Sequence, residues 1–135
     1  MLDSFLVPAG TTVRAKGEGS ALDTGGAQHR AFLLTLSITD IVEQEALEIS
    51  IFGSADGSAW DPKPIAAFPQ KFYRGDYPFL LELAEKPSIR FLRAHWEPSR
   101  WGRGPEQPMF TFSVSIREVP PEVLSEARRE ASARV

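Results

Sequence analysis

Hydrophobic and polar side chains alternate along most of the chain, with the period of two that is typical of β-strands. The alternation is cleanest at residues 110–117, where Phe110, Phe112 and Val114 share one face and small hydroxyl residues occupy the other. Alternation also covers residues 31–39, 47–51 and 77–83, and shorter candidate strands cover residues 11–15, 65–68 and 89–96. Gly, Pro and Asp clusters separate these segments. The pattern predicts an all-β fold, an antiparallel β-sandwich or jelly roll of seven to eight strands.

Two segments between the strands read as long loops, residues 16–28 and 97–107, both rich in Gly or Pro. A rigid sandwich often presents functional residues on its loops, so these segments are the first places to look for a site. No internal repeat is visible.

The pattern changes after residue 119. Pro120 and Pro121 open a stretch rich in Ala, Glu and Arg, with Glu122 early and the arginines late, which suits a helix and its dipole. We therefore predict a β-sandwich domain over residues 1–119 and a short C-terminal helix or arm over residues 120–135. The apolar stripe of this segment is thin, and a helix so short is marginal alone. An ordered arm that needs a partner subunit and a frayed tail both fit.

The amino-acid composition excludes most classes of catalytic and metal site. The chain has 135 residues, with 15 Lys and Arg against 18 Asp and Glu, 2 His and no Cys. The absence of Cys excludes disulfides, thiolate catalysis and Cys-bearing metal sites, and the two histidines lie far apart in sequence. A net charge of −3 argues against nucleic acid as a partner. With no Gly-x-Ser-x-Gly elbow and no phosphate-binding loop, we expect a non-enzymatic module with no cofactor and no metal.

The N-terminus lacks a basic region, and Pro8 interrupts its apolar run well before the length of a signal-peptide core. No segment approaches the roughly 18 apolar residues that span a bilayer. We expect no membrane partner and a cytoplasmic location as synthesised, with a virion-like particle as a further destination.

The most specific local feature is the turn in residues 49–60. A strand runs into Asp56 and Gly57, which accept the positive φ of a tight turn, and Trp60 follows. We predict that Asp56 and Gly57 form the turn and that Trp60 covers the end of the core.

Aromatic and cationic residues gather in two places along the chain. The candidate interface or ligand residues among them are Phe72, Tyr73, Arg74, Arg93, His95, Arg100, Trp101 and Arg103. Three interpretations stay open: aromatics in the core with arginines on loop carbonyls, a protein interface, and a small-ligand site for a sugar or an anion. His95 has no accompanying Asp and Ser, so we interpret it as structural.

Residues 89–96 would place Leu92 and Ala94 on the inner face, and Phe91 and Arg93 on the outer one. A wet outer face is normally polar throughout, so we expect a loop or another chain to cover it. Further along, Arg74, Gly75 and Asp76 spell a cell-adhesion tripeptide, which we interpret as a turn before a strand.

Four segments carry a resemblance to known families. In order along the chain they read LTLSITDI, GSADGSAW, RFLRAHW and FTFSVSI. Over roughly residues 30–118 they resemble small phage virion proteins of the head or tail accessory kind. The GSADGSAW turn and the RFLR strand also resemble discoidin-type, galactose-binding-like jelly rolls. The segments at residues 68–73 and 100–104 and the tail have no counterpart.

The phage resemblance implies a structural module that self-associates or decorates a larger phage-like particle or filament, with homo-oligomers or a larger protein assembly as its partners. The discoidin resemblance implies the alternative, a carbohydrate-binding module that holds a glycan with loop-end aromatic and Arg residues. Both imply a jelly-roll sandwich and are weakly specific for function.

Overall fold

Long strands form where the sequence alternates. The computed structural model describes residues 2–25, 27, 29–41, 45–71, 73–83, 85–100 and 109–120. Within these residues the chain forms nine strands and no helix. The strands are β1 Asp3–Val13, β2 Gly17–Glu18, β3 Leu22–Asp23, β4 Ala31–Ile41, β5 Glu45–Ser54, β6 Ala66–Ala67, β7 Gly75–Glu82, β8 Phe91–Arg100 and β9 Phe110–Glu118.

The strands form two antiparallel sheets. Sheet A has the order β1-β9-β4-β7, and sheet B has the order β2-β8-β5-β6, with β3 also paired to β8. Because β2 and β3 both pair with β8, they act as one interrupted strand. Counted once, this pair gives eight strands in the order 1-8-3-6 and 2-7-4-5, which is the double Greek key of a jelly roll. The predicted fold class is confirmed, with nine strands rather than seven or eight.

The core lies between the inner faces of the two sheets. In β4 and β9, every second residue is buried, and register pairs such as Leu36 and Val114 form continuous apolar rows. Sheet B adds matching rows, for example Ile51 opposite Ala94. The indole of Trp96 bridges the sheets, because its ring centroid lies 5.9 Å from that of Phe112 in an edge-on arrangement.

The first strand is longer than the predicted segment 11–15, since β1 begins at Asp3. Its pairing with β9 shifts register between Phe5 and Val7 and again between Val7 and Thr11. Between these points Gly10 adopts a φ of 77°. These bulges interrupt the period of two, which explains why the alternation of this strand is invisible in the sequence.

The Gly-rich segment 16–28 is not simply a loop, because it contains β2 and β3. Its glycines are needed for close approach. A Cβ on Gly17 would lie 2.9 Å from Trp96 Nε1, and one on Gly19 would lie 2.8 Å from the carbonyl oxygen of Leu6. The Gly-rich composition of this predicted loop therefore reflects a backbone packed tightly across the sandwich.

Beyond Pro120, the predicted C-terminal helix or arm lies outside the described residues. The predicted division of the chain into a sandwich and an arm falls there too. Within the part of the chain that the structure covers, no helix has the length and apolarity that a bilayer crossing requires.

Candidate functional site

The turn after β5 is built on two side chains. The carboxylate of Asp56 accepts hydrogen bonds from the backbone N–H groups of Ser58 (2.8 Å) and Ala59 (2.9 Å). The Ser54 hydroxyl donates to the Ala59 carbonyl (2.6 Å) and accepts from the Gly57 N–H (2.9 Å). Gly57 has a φ of 81°. The two backbone donors, first that of Ala59, hold the pKa of Asp56 below its ordinary value. Asp56 and Gly57 thus set the path of the chain.

Trp60, predicted to cover the end of the core, has its ring against Arg93. Its backbone bridges to Ser54, and its ring lies beneath the Arg93 guanidinium, 4.2 Å from the ring centroid. Arg93 belongs to the outer face of sheet B, since it alternates with the buried Leu92 and Ala94. The turn therefore folds Trp60 back onto the outer face of sheet B.

Five side chains form a compact cluster on that face, here called the Glu18 cluster: Glu18, Phe52, Trp60, Arg93 and His95. The carboxylate of Glu18 lies 3.2 Å from Arg93 Nη1 and 3.8 Å from His95 Nδ1. The His95 ring meets Phe52 edge-on at 6.0 Å. Arg93 Nε is buried and has no hydrogen-bond partner among the described residues. The cluster is held mainly by contacts among its own members.

A shallow concavity of about 500 Å³ adjoins the Glu18 cluster, and its walls combine a lysine and a histidine with carboxylates. It is lined by Lys16, Gly17, Glu18, His95 and Glu97. Glu97 also stands directly opposite Glu48 in the β5–β8 register. Two exposed carboxylates facing each other across strands repel, so the outer face of sheet B carries an unfavourable charge pair between its two central strands. Among the described residues no three His, Asp or Glu side chains converge to hold a metal ion.

Tyr73 and Arg74 lie elsewhere, at the entrance to β7 in sheet A. Tyr73 is 76% exposed, and its carbonyl accepts a hydrogen bond from the Tyr77 hydroxyl (2.7 Å). Arg74 lies 3.3 Å from the Asp40 carboxylate. The Lys71 ammonium sits 4.3 Å above the Tyr77 ring. Gly75, the centre of the adhesion-like tripeptide, begins β7 with a φ of 149°.

The predicted site residues therefore do not form one constellation. Arg93 and His95 meet on the outer face of sheet B, whereas Tyr73 and Arg74 belong to a corner of sheet A. Arg100 ends β8. The proposed roles of Phe72, Trp101 and Arg103, and of the Arg100 side chain, fall outside the described part of the chain.

A second surface, which the sequence reasoning missed, lies on the outer face of sheet A. Phe5 is 49% exposed there, opposite Ser115 in the β1–β9 register. Beside it is a hollow of about 220 Å³. The hollow is lined by Asp3, Leu33, Thr35, Ser115 and Arg117. Only the register of β1 against β9 brings Phe5 next to this hollow, and the bulges in β1 hide that register from the sequence.

Charged residues that the sequence reasoning passed over hold the framework together. Arg30 donates from Nη2 to the carbonyls of Lys86 (2.7 Å) and Ile89 (2.8 Å), which fixes the connection between β7 and β8. The Glu118 carboxylate, 1% exposed, accepts from the N–H groups of Leu2 (2.6 Å) and His29 (3.0 Å). Both contacts link residues distant in sequence, so no local signal announces them.

A bidentate ion pair closes one end of sheet B. Arg90 Nε and Nη2 each lie 2.8 Å from an oxygen of the Asp23 carboxylate, and the Gly25 N–H adds a third donor at 2.8 Å. The hydrogen bond from Arg90, followed by that from Gly25, lowers the pKa of Asp23 to about 2, from an ordinary 3.8. The same pairing raises the pKa of Arg90. This pair ties β3 to the start of β8.

No protein-family model matches the chain, and no curated protein matches it either. The fold itself defines the class, an antiparallel jelly-roll β-sandwich. The resemblances to phage virion proteins and to discoidin-type domains stay predictions.

Proposed function

We propose that this protein is a non-enzymatic structural module that self-associates or decorates a larger phage-like particle or filament. One observation carries the proposal: the outer face of sheet A leaves Phe5 half exposed beside a hollow of about 220 Å³. A sheet face that remains exposed to solvent carries polar side chains at such positions. An exposed aromatic ring beside a hollow supports a protein contact, because aromatic side chains are enriched among the anchors of protein interfaces.

The energy at stake is sufficient for a contact of this kind. Burying the exposed half of a phenylalanine side chain removes about 100 Å² of apolar surface from water, which stabilises a complex by about 2 kcal/mol. The energetic centre of a protein interface is commonly a small number of such aromatic anchors.

The edges of sheet A favour contact through its face rather than by strand addition. The edge strand β7 carries Pro78 in its middle, and proline cannot donate a backbone hydrogen bond to an incoming strand. At the opposite edge, Gly19 packs close to the Leu6 carbonyl of β1. Open-ended pairing of edge strands is therefore disfavoured.

The Glu18 cluster supports a structural interpretation of the predicted Arg and His residues. Arg93 is stacked on Trp60 and paired with Glu18, and His95 packs on Phe52. Contacts among these side chains hold the turn and β2 against β8. A loop of the same chain, the turn that carries Trp60, thus covers the outer face of the predicted strand 89–96.

Sedimentation velocity and negative-stain microscopy of the full chain test the proposal. We expect a mass that rises with protein concentration, and a weaker association when residues 120–135, the predicted arm, are deleted. A monodisperse monomer at high concentration, unchanged by that deletion, would refute the assembly role.

A second candidate is a carbohydrate-binding module, which the concavity beside the Glu18 cluster favours. Its walls offer donors from Lys16 and His95 and acceptors from Glu18 and Glu97, a mixture that suits sugar hydroxyls. A glycan array tests it with three proteins: the wild type, His95→Ala in the concavity and Trp101→Ala in the predicted loop. Binding lost in either variant supports this candidate and locates the site. Absence of binding to every glycan counts against it.

A further inference from the structure

We propose that the partner of the outer face of sheet A is a second copy of the same chain. In this arrangement the two sheets pack face to face across a two-fold axis, and Phe5 of each copy enters the hollow of the other. The inference rests on the proposed function and specifies its contact.

The register of sheet A places knob and hollow side by side. Phe5 pairs with Ser115, which pairs in turn with Thr35. Because the Ser115 side chain is small, the surface along this row descends from the Phe5 ring into the hollow. A surface on which a projection adjoins a matching depression is self-complementary under a two-fold rotation, as an isologous interface requires.

The charged residues on this face also favour a second copy of the chain as the partner. Asp3 and Arg117 both line the hollow and oppose each other in the β1–β9 register. Within the described part of the chain neither takes part in an ion pair. A two-fold rotation about an axis near Ser115 brings Asp3 of each copy towards Arg117 of the other. The face thus carries both halves of a reciprocal pair.

The size of the face sets the expected strength. Four strands spaced by about 4.8 Å, each contributing some eight residues, offer about 500 Å² per copy. The total of about 1,000 Å² lies at the lower limit of specific protein interfaces. We therefore infer a reversible dimer with a dissociation constant on the order of micromolar, and a concentration series is the appropriate measurement.

Cross-linking through a single engineered cysteine tests the arrangement, because the chain contains no Cys. Ser115→Cys lies near the proposed axis, and a short bis-maleimide should link it to its counterpart in the second copy. Ser50→Cys is the matched control, since Ser50 is also a half-buried serine on an outer face, but of sheet B. We expect a cross-linked dimer from the first variant, at least tenfold less from the control, and a similar loss when Phe5→Ala is added to Ser115→Cys.

Charge reversal separates contacts between copies from contacts within one copy. Asp3→Arg and Arg117→Asp each place like charges on both sides of the interface, so each variant alone should associate about tenfold more weakly. Mixed in equal amounts, the two variants should associate nearly as well as the wild type, because each now meets the opposite charge. A mixture as weak as its components would overturn the reciprocal pairing.

The outcomes distinguish this inference from the proposed function. If the wild type self-associates but Phe5→Ala changes neither its mass nor the cross-linking, another surface mediates assembly and the inference is wrong. If the wild type stays monomeric at all concentrations, this inference and the self-association part of the proposed function both fail. Circular dichroism of each variant establishes that its fold is intact before association is compared.

Discussion

The two outer faces of the sandwich differ in what covers them. On sheet B, the turn after β5 folds Trp60 back over Arg93, and β2 brings Glu18 across it. On sheet A, Phe5 stands half exposed beside an open hollow. The chain therefore covers one face with its own residues and leaves an aromatic ring half exposed on the other. Under the proposed function, this difference separates residues that stabilise the monomer from residues that contact a partner, although both sets look alike in sequence.

The sharpest way to break the comparison is to remove one aromatic ring from each face. Trp60→Ala removes a half-buried ring and the cation–π contact with Arg93, so the free energy of unfolding should fall by about 2 kcal/mol. Phe5→Ala should lower it by less, about 1 kcal/mol, since half of the ring is already in water. Denaturant titration at low protein concentration measures both values.

The control for this pair is the association measurement at high concentration. There the order should reverse, with Phe5→Ala weakening the dimer and Trp60→Ala leaving it intact. Equal losses of the free energy of unfolding in the two variants would show that the chain's own residues cover both outer faces alike.

Gly19→Ala tests how the cover of sheet B is held in place. The added Cβ would lie 2.8 Å from the Leu6 carbonyl oxygen, a backbone atom that cannot rotate away. Strain of this kind costs about 1–2 kcal/mol. The Gly19 N–H also donates to the Ala94 carbonyl (2.8 Å), so the displacement should loosen β2 and Glu18. Thermal unfolding gives the loss, and faster amide exchange at Glu18 and Gly19 locates it. Gly10→Ala is unsuitable as a control, because Gly10 has a positive φ. Ser20→Ala, at the exposed neighbouring position, is the control.

The sequence predicted what depends on local pattern. The period of two identifies β4 and β9 and their inner rows, and Asp56 with Gly57 specifies a tight turn. The odd pairing of Phe91 with Arg93 on one face predicted a cover for sheet B, and left open whether a loop or another chain supplies it. The structure assigns that cover to the turn of the same chain.

Other features depend on register between distant strands, which the sequence does not display. Phe5 meets its hollow only because β1 pairs with β9, more than a hundred residues later. Bulges in β1 break the alternation that would otherwise reveal the pairing. Likewise Trp60 reaches Arg93 because the turn folds back on the sheet, and a tryptophan that follows a turn reads equally well as a cap on the core.

A smaller effect should sharpen the description of sheet B. Glu48 and Glu97 face each other across β5 and β8, and both are exposed. Replacing one with a cation turns repulsion into attraction, so Glu48→Lys should raise the free energy of unfolding by about 0.5 kcal/mol. Glu85→Lys, at an exposed position outside any strand, is the matched control for net charge. A gain that is the same in both variants would reflect overall charge alone.

The smallest expected effect concerns the ion pair that closes sheet B. Since Arg90 and Gly25 depress the pKa of Asp23 to about 2, ionised Asp23 stabilises the folded state. That contribution is complete above the ordinary value of 3.8 and is lost as the pH falls towards 2. The pair is exposed, so salt should also weaken it. Asp23→Asn should therefore lower the melting temperature slightly at pH 6, and the difference from the wild type should vanish near pH 2. Asp61→Asn, an exposed aspartate with no ion pair among the described residues, is the control. A difference that stays constant between pH 6 and pH 2 would mean that Asp23 acts through loop geometry rather than through its charge.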